Sequence, residues 1–216
     1  MKIKLVFFDC DGVLTEDGWH KLDSLMVHKK LDNKWKSEFN EKKLTLKNWI
    51  KNVTRIYRRK RLDRKLIVDI YKNIKINPQA PELFSYLKKK KIKTAIISSG
   101  FKYYVEPIAV RLEVDFWRAN TSIVFDRNDV FKKFEFLIDD DHLGKVLPTN
   151  QICKDLNISL EETMFVGDSF NDIDAFELTK HGVLYQMKEF KTKTQKLKKY
   201  AWKKIKNLAE VKKLLD

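Results

Sequence analysis

Apolar residues follow two rhythms along this chain. The first is a short unbroken run: Val6, Phe7 and Phe8 are β-branched or aromatic, so Lys2 to Phe8 reads as a strand apolar enough to be buried on both faces. The run stops abruptly at Asp9. From Trp19 to Ile76 the rhythm is helical. A helix over His20 to Leu31 would bury Leu22, Leu25 and Met26. "LTLKNWIKNVTRIY" sets Leu46, Trp49, Ile50, Val53, Ile56 and Tyr57 on one face, and "DRKLIVDIYKNI" does the same with Leu66, Ile67, Ile70, Tyr71 and Ile74. Pro78 and Pro81 in "NPQAP" interrupt this segment.

Beyond the prolines, helices and strands alternate. "ELFSYLKKKK" reads as a helix and Lys93 to Ser98 as a second buried strand. Val114 to Ala119 is a third core strand. "TSIVF" and "FEFLI" form a hairpin across the polar "DRNDVFKK". "TMFVGD" (163–168) is a strand ending on an acid, as the first one does, "GVLYQM" (182–187) is a further strand, and "NQICKDL" is a helix. Such alternation predicts an α/β protein with a Rossmann-like parallel sheet, interrupted by one helical insert between its first two strands.

Ligands of open parallel sheets bind at the carboxyl ends of the strands, so the residues just after each strand carry the chemistry. Asp9 and Asp11 leave the first strand two positions apart, a spacing that points both the same way. Two carboxylates that close repel unless a cation lies between them; the plainer alternative is a turn cap with Gly12 at positive φ. Ser98, Ser99 and Gly100 follow the second strand, where a hydroxyl and backbone N–H groups at a helix start would favour an anion. Gly167 and Asp168 follow the strand at 163. Three acids around a cation, facing phosphate donors, go beyond a turn cap.

Composition narrows the setting. With 216 residues the chain makes one domain or a core plus a small insert. Its two cysteines, Cys10 and Cys153, are far apart in sequence and indicate no disulfide framework, so a reducing, cytoplasmic setting is expected, with Cys10 as a packing residue. No apolar run is long enough for a membrane span. The net charge is +15, with eleven lysines against three acids from His181 to Asp216 and a second basic stretch at residues 51–65. Lysines scattered along helical patterns read as a solvated face, so nucleic acid is possible but not a favoured partner. His20 and His28 read as surface or packing residues, and Asp139 to Asp141 as a charged loop. The sequence leaves the oligomeric state open.

Four motifs in order resemble those of the haloacid dehalogenase superfamily: "DCDGVLT", "IISSG", Lys145 in "DDHLGKVLPTN" and "GDSFND". Lys154 is a weaker candidate for the third. The helical insert resembles the superfamily's C1 cap, and the branch most resembled is that of the phosphoserine phosphatases. The resemblance implies a core over residues 1–15 and 78–216, a cap over 16–77, and Mg²⁺-dependent hydrolysis of a phosphomonoester through an aspartyl-phosphate. It makes Asp9 the nucleophile and Asp11 the proton-transfer partner. Mg²⁺ would rest on Asp9, the Asp11 carbonyl and Asp168. Ser98, Ser99, Gly100, Lys145 and Asn171 would meet the phosphate, and Asp172 would orient Lys145 or metal-bound water. Ser169 and Asp174 are left as structural. An acid two residues after the nucleophile separates phosphate chemistry from dehalogenation, though not a hydrolase from a mutase. In the phosphoserine branch the ninth residue after the nucleophile is expected to be an acid that reads an ammonium; here it is Gly18, with Glu16 and Asp17 nearby. Arg55, Arg58, Arg59, Arg61 and Arg64 are candidates for reading a carboxylate, although a solvated helix face accounts for them more simply. Trp19, Trp35, Trp49 and Phe39 are expected in the cap core. A phosphatase of nucleic-acid ends and a non-catalytic nucleic-acid-binding protein on the same fold are the alternatives.

Overall fold

The computed structural model describes residues 2–40, 46–140, 143–186 and 197–215, without the side chains of 32, 33, 36, 37, 39, 40 and 46. Phe39, Leu46, Asp141 and Met187, all named above, therefore have no described side chain. Seven strands form one sheet in the order β4-β3-β2-β1-β5-β6-β7. These are β1 (Leu5–Phe8), β2 (Lys93–Phe101), β3 (Phe116–Phe125), β4 (Phe131–Phe136), β5 (Thr163–Gly167), β6 (Gly182–Tyr185) and β7 (Lys203–Ile205). All pairings are parallel except that of β3 with β4. The fold is thus the predicted α/β class with a mostly parallel sheet.

β1 shows why an unbroken apolar run marks a central strand. Its side chains alternate between the two faces: Val6 and Phe8 enter one core, while Leu5 and Phe7 enter the other with Phe165, Cys153 and Phe176. The first core also takes in the helices between β1 and β2, which are α1 (Gly18–Met26), α2 (Lys29–Asn40), α3 (Leu46–Arg59) and α4 (Arg64–Lys72). Leu22, Trp35, Val53, Tyr57, Ile67 and Tyr71 all belong to it. Trp19 and Trp49 pack against it, edge to face at 5.0 Å. The chain leaves and re-enters the sheet layer at one point, where Thr15 Oγ donates to the Lys75 carbonyl at 2.8 Å and Asn77 Nδ2 to the Val13 carbonyl at 3.0 Å.

Several sequence expectations are corrected. The helix expected over His20–Leu31 ends at Met26, and a second begins at Lys29. Continuing the Leu22–Met26 face by helical steps would have turned Lys29, Lys30 and Asn33 inward; the break at extended Val27 lets Trp35 enter the core instead. Leu25 and Leu66, expected inside, are exposed. The third core strand and the first hairpin strand are one strand, β3. Asn120 lies inside it, and its side chain exchanges two hydrogen bonds with the backbone of Ile138. The hairpin turn is shorter than expected, with the Asp126 side chain accepting from Asn128 and Val130 N–H. β7 was not anticipated; it forms the sheet's edge with Lys203 and Lys204 exposed, a placement that discourages edge-to-edge pairing.

The remaining helices are α5 (Ala80–Lys89), α6 (Lys102–Arg111), α7 (Leu143–Leu156) and α8 (Ile173–Thr179). α7 starts seven residues before the "NQICKDL" segment. Asp140 begins it, its carboxylate accepting from Leu143 N–H at 2.8 Å and its carbonyl from Gly144 N–H at 2.7 Å. No helix among the described residues is long and apolar enough to cross a membrane.

Candidate active site

The carboxyl ends of β1, β2 and β5 and the first turn of α7 meet at one place. Asp9 is 4% exposed and Lys145 and Asp172 are fully buried. The Asp9 carboxylate accepts from Cys10 N–H at 2.7 Å, and its other oxygen lies 2.7 Å from Lys145 Nζ. The same ammonium donates to Asp172 at 2.5 Å. The second oxygen of Asp172 collects the N–H groups of Asp168 (3.0 Å) and Ser169 (2.9 Å), closing the loop after β5. Lys154, by contrast, is exposed farther along α7. Cys10 turns into the core, as expected of a packing residue.

Asp9, Asp168 and Asp172 offer carboxylate oxygens that all lie within 4.8 Å of one another. Asp168 packs against Gly12, which has φ +76°; a Cβ there would sit 2.2 Å from an Asp168 oxygen, so both the turn and the approach demand glycine. Asp11 stands apart. One of its oxygens accepts from Gly18 N–H at 2.7 Å and the other from Tyr104 O–H at 2.5 Å.

Burial raises the Asp9 carboxyl to about 8, with Asp172 and Asp11 adding to the rise and Lys145 opposing it. Burial, then Asp17, raises Asp11 to about 7, against the hydrogen bonds from Tyr104 and Gly18. Asp168 is pushed well above the usual carboxylate range by burial and by Asp9. Burial would lower Lys145, but Asp172 and Asp9 outweigh it and keep it charged. Two buried acids thus share one buried ammonium, with the partly buried Asp168 beside them, a donor set that fits a hard divalent cation.

This imbalance makes stability depend on pH. Asp9 and Asp11 hold protons in the folded state that the unfolded chain releases near pH 4. Stability they contribute at low pH is therefore lost as pH rises from about 4 to 8. A divalent cation counters the ionised carboxylates, so 5 mM Mg²⁺ should raise Tm by about 5–10 °C at pH 8 and by less than about 2 °C at pH 5. Thermal melts at the two pH values check this, and equal shifts would count against a cation among these acids.

Ser98 is buried within β2, three residues before its end, and its Oγ accepts from Gly100 N–H at 2.9 Å. Ser99 and Gly100 do not start a helix: β2 runs on to Phe101 and α6 begins at Lys102. The neighbour is responsible, because the lengthened β3 holds this segment as strand, pairing Thr121 with Phe101 and donating the Thr121 hydroxyl to the Ser99 carbonyl at 2.8 Å. Asn171 reaches Ser99 Oγ at 3.3 Å and accepts from Ser169 Oγ at 2.6 Å. Arg55, Arg58, Arg59, Arg61 and Arg64 are all exposed. Arg58 donates to the Lys132 carbonyl, and Arg64 to Asp129 and Tyr103. His20 and His28 are exposed too. Tyr104 is the contact that sequence reasoning missed; a tyrosine inside a helix carries no signal that its hydroxyl will meet Asp11.

Fold and rim define a class, that of parallel α/β proteins whose reactive groups gather at the carboxyl edge of the sheet around a cation-competent set of acids. The family model for haloacid dehalogenase-like hydrolases matches residues 3–178, and the chain belongs to that family. It is 28% identical over 179 residues to a phosphoserine phosphatase of Methanocaldococcus jannaschii, covering 82% of each chain. It is 29% identical over 121 residues to a phosphoserine phosphatase of Saccharomyces cerevisiae, covering 56% of this chain and 38% of that one. The chain thus spans well under half the length of the yeast relative. Two solved structures, of a phosphoserine phosphatase as a phospho-aspartyl intermediate analogue and of a substrate-bound phosphoserine phosphatase complex, align over the whole of both chains with TM-scores of 0.84 and 0.83. At 22% and 23% identity, these two likenesses speak for the fold.

Proposed function

We propose that the chain is a Mg²⁺-dependent phosphomonoesterase that works through an aspartyl-phosphate on a small phosphorylated metabolite. The observation that carries this reading is the buried Asp9 carboxylate, aligned by Lys145 at 2.7 Å, among further acids at the strand ends. An Asp9 oxygen attacks phosphorus, the bond to the leaving oxygen breaks, and Asp11 gives that oxygen a proton. Water then attacks the acyl phosphate, Asp11 takes up its proton, and Asp9 is freed with release of phosphate. An Asp11 raised to about 7 suits both halves of the cycle. Ser98 accepts from Gly100, so its own hydrogen is left to donate to a phosphoryl oxygen, and Lys145, held by Asp172, takes another. Mg²⁺ would be held by Asp9, Asp168 and the Asp11 carbonyl, and would supply neutralisation of charge on the phosphoryl group.

On this reading residues 16–77 act as a cap over a core of residues 1–15 and 78–216. The buried free thiols Cys10 and Cys153 suit the cytoplasm. The names of the relatives put phosphoserine first among candidate substrates.

Phosphate release is the test, from a panel of phosphoserine, sugar phosphates, p-nitrophenyl phosphate and 3′-phosphorylated oligonucleotides. EDTA should lower release at least ~10²-fold and Mg²⁺ should restore it. Preference for the oligonucleotides would move the assignment to nucleic-acid ends, and no release from any substrate would sink it.

A further inference from the structure

Asp11 is held by two donors, and the surroundings of both are specific. Tyr104 stands in the first turn of α6, fully buried, with its hydroxyl 2.5 Å from one Asp11 oxygen. Gly18, the first residue of α1, gives its N–H to the other oxygen at 2.7 Å. The Gly18 carbonyl in turn accepts from Tyr71 O–H at 2.9 Å, and the Tyr71 and Tyr104 rings lie 4.9 Å apart. Neither glycine beside Tyr104 tolerates a side chain. A Cβ at Gly18 would lie 2.5 Å from the ring carbon that bears the hydroxyl. A Cβ at Gly100 would lie 1.8 Å from the hydroxyl itself and 2.7 Å from an Asp11 oxygen. Backbone thus comes close from two sides, α1 and β2, to leave a slot for one tyrosine against one carboxyl.

We propose that Tyr104 is a positioning residue for Asp11, its hydroxyl fixing the carboxyl that hands the proton to the departing alcohol, in a slot that exists because positions 18 and 100 are glycine. This rests on the reading of Asp11 as proton donor. In the step at issue the Asp11 O–H bond breaks as the phosphorus–oxygen bond breaks, and the alcohol oxygen keeps the bond's electron pair and gains the proton. Each carboxyl oxygen has a second lone pair for that proton, so the two donors fix the plane of the group without consuming it. Tyr104 can donate to its oxygen in both protonation states of Asp11, because the proton to be transferred occupies another lone pair.

A core tyrosine satisfying its hydroxyl on the nearest acceptor would look similar, and leaving-group dependence separates the two roles. Alkyl phosphates release a weakly acidic alcohol that needs the proton; p-nitrophenyl phosphate releases a far more acidic phenol that does not. kcat/KM covers the steps up to departure of the alcohol, so it isolates this half of the reaction. Tyr104→Phe keeps the ring and loses the hydroxyl. It should lower the ratio of kcat/KM for alkyl substrates (phosphoserine or β-glycerophosphate, whichever is turned over) to that for p-nitrophenyl phosphate by about 10–100-fold, part of what general acid catalysis supplies. An unchanged ratio in Tyr104→Phe, whether activity falls on both substrates or on neither, overturns the proposal. Asp11→Asn is the control: a lowered ratio there with none in Tyr104→Phe refutes the role of Tyr104 alone, whereas an unchanged ratio in Asp11→Asn refutes the role of Asp11 and with it that of Tyr104.

Discussion

Asp9→Asn is expected to reduce Mg²⁺-supported phosphate release by at least ~10⁴-fold, the scale on which loss of a covalent nucleophile acts. The substitution keeps the size of the side chain, and an amide can still accept from Cys10 N–H as the carboxylate does at 2.7 Å. What it removes is the charged oxygen proposed to attack phosphorus. Steady-state assays on the best substrate of the panel, with circular dichroism to show that the fold is kept, would measure the effect. A variant retaining a tenth of wild-type activity would mean that water attacks phosphorus directly and that no aspartyl-phosphate forms.

Lys145→Met is expected to damage both activity and stability. Lys145 is fully buried, and its ammonium touches Asp9 at 2.7 Å and Asp172 at 2.5 Å. Methionine fills similar space but leaves two carboxylates buried beside Asp168 without a counter-charge. Breaking a buried pair in this way costs about 3–5 kcal/mol, or roughly 6–20 °C in Tm for a chain of this size. At pH 5 Asp9, raised to about 8, already carries its proton, so the loss there should be smaller. Catalysis should fall by about 10²–10³-fold, as when one preorganised donor to a developing oxyanion is removed. Denaturation at pH 8 and pH 5 checks the stability half; equal losses at the two would show that the lysine acts through packing and not through charge.

The legible part of the site was legible for a definite reason. Asp9 and Asp168 each end an unbroken apolar run, and a buried parallel strand must deliver its next residue to the carboxyl edge of the sheet. Ser98 is reached by the same reasoning, although its strand runs on to Phe101. Lys145 was reached by resemblance to a motif, not by periodicity. The surrounding segments misled where polar residues lay within regular elements. The segments on either side of Asn120 are one strand, and the bonds from Asn120 to Ile138 that accompany this are invisible in sequence. The first helix of the insert is expected too long because nothing local shows that Trp35 must be turned inward.

By itself, then, the sequence determined the α/β class, the helical segment between β1 and β2, and the acids and hydroxyl at the strand ends, since all of these follow from local apolar period and strand direction. Tertiary structure decided how those groups face. It put the Asp172 carboxylate with Asp9 and Asp168 and turned the Asp11 carboxylate to Gly18 and Tyr104. It carried β2 past Ser99 and Gly100 because β3 pairs there. It also slid Tyr104 between two glycines that lie 82 positions apart in the sequence. Side-chain direction in a loop is set by packing among distant segments, and period along one segment carries no record of that packing.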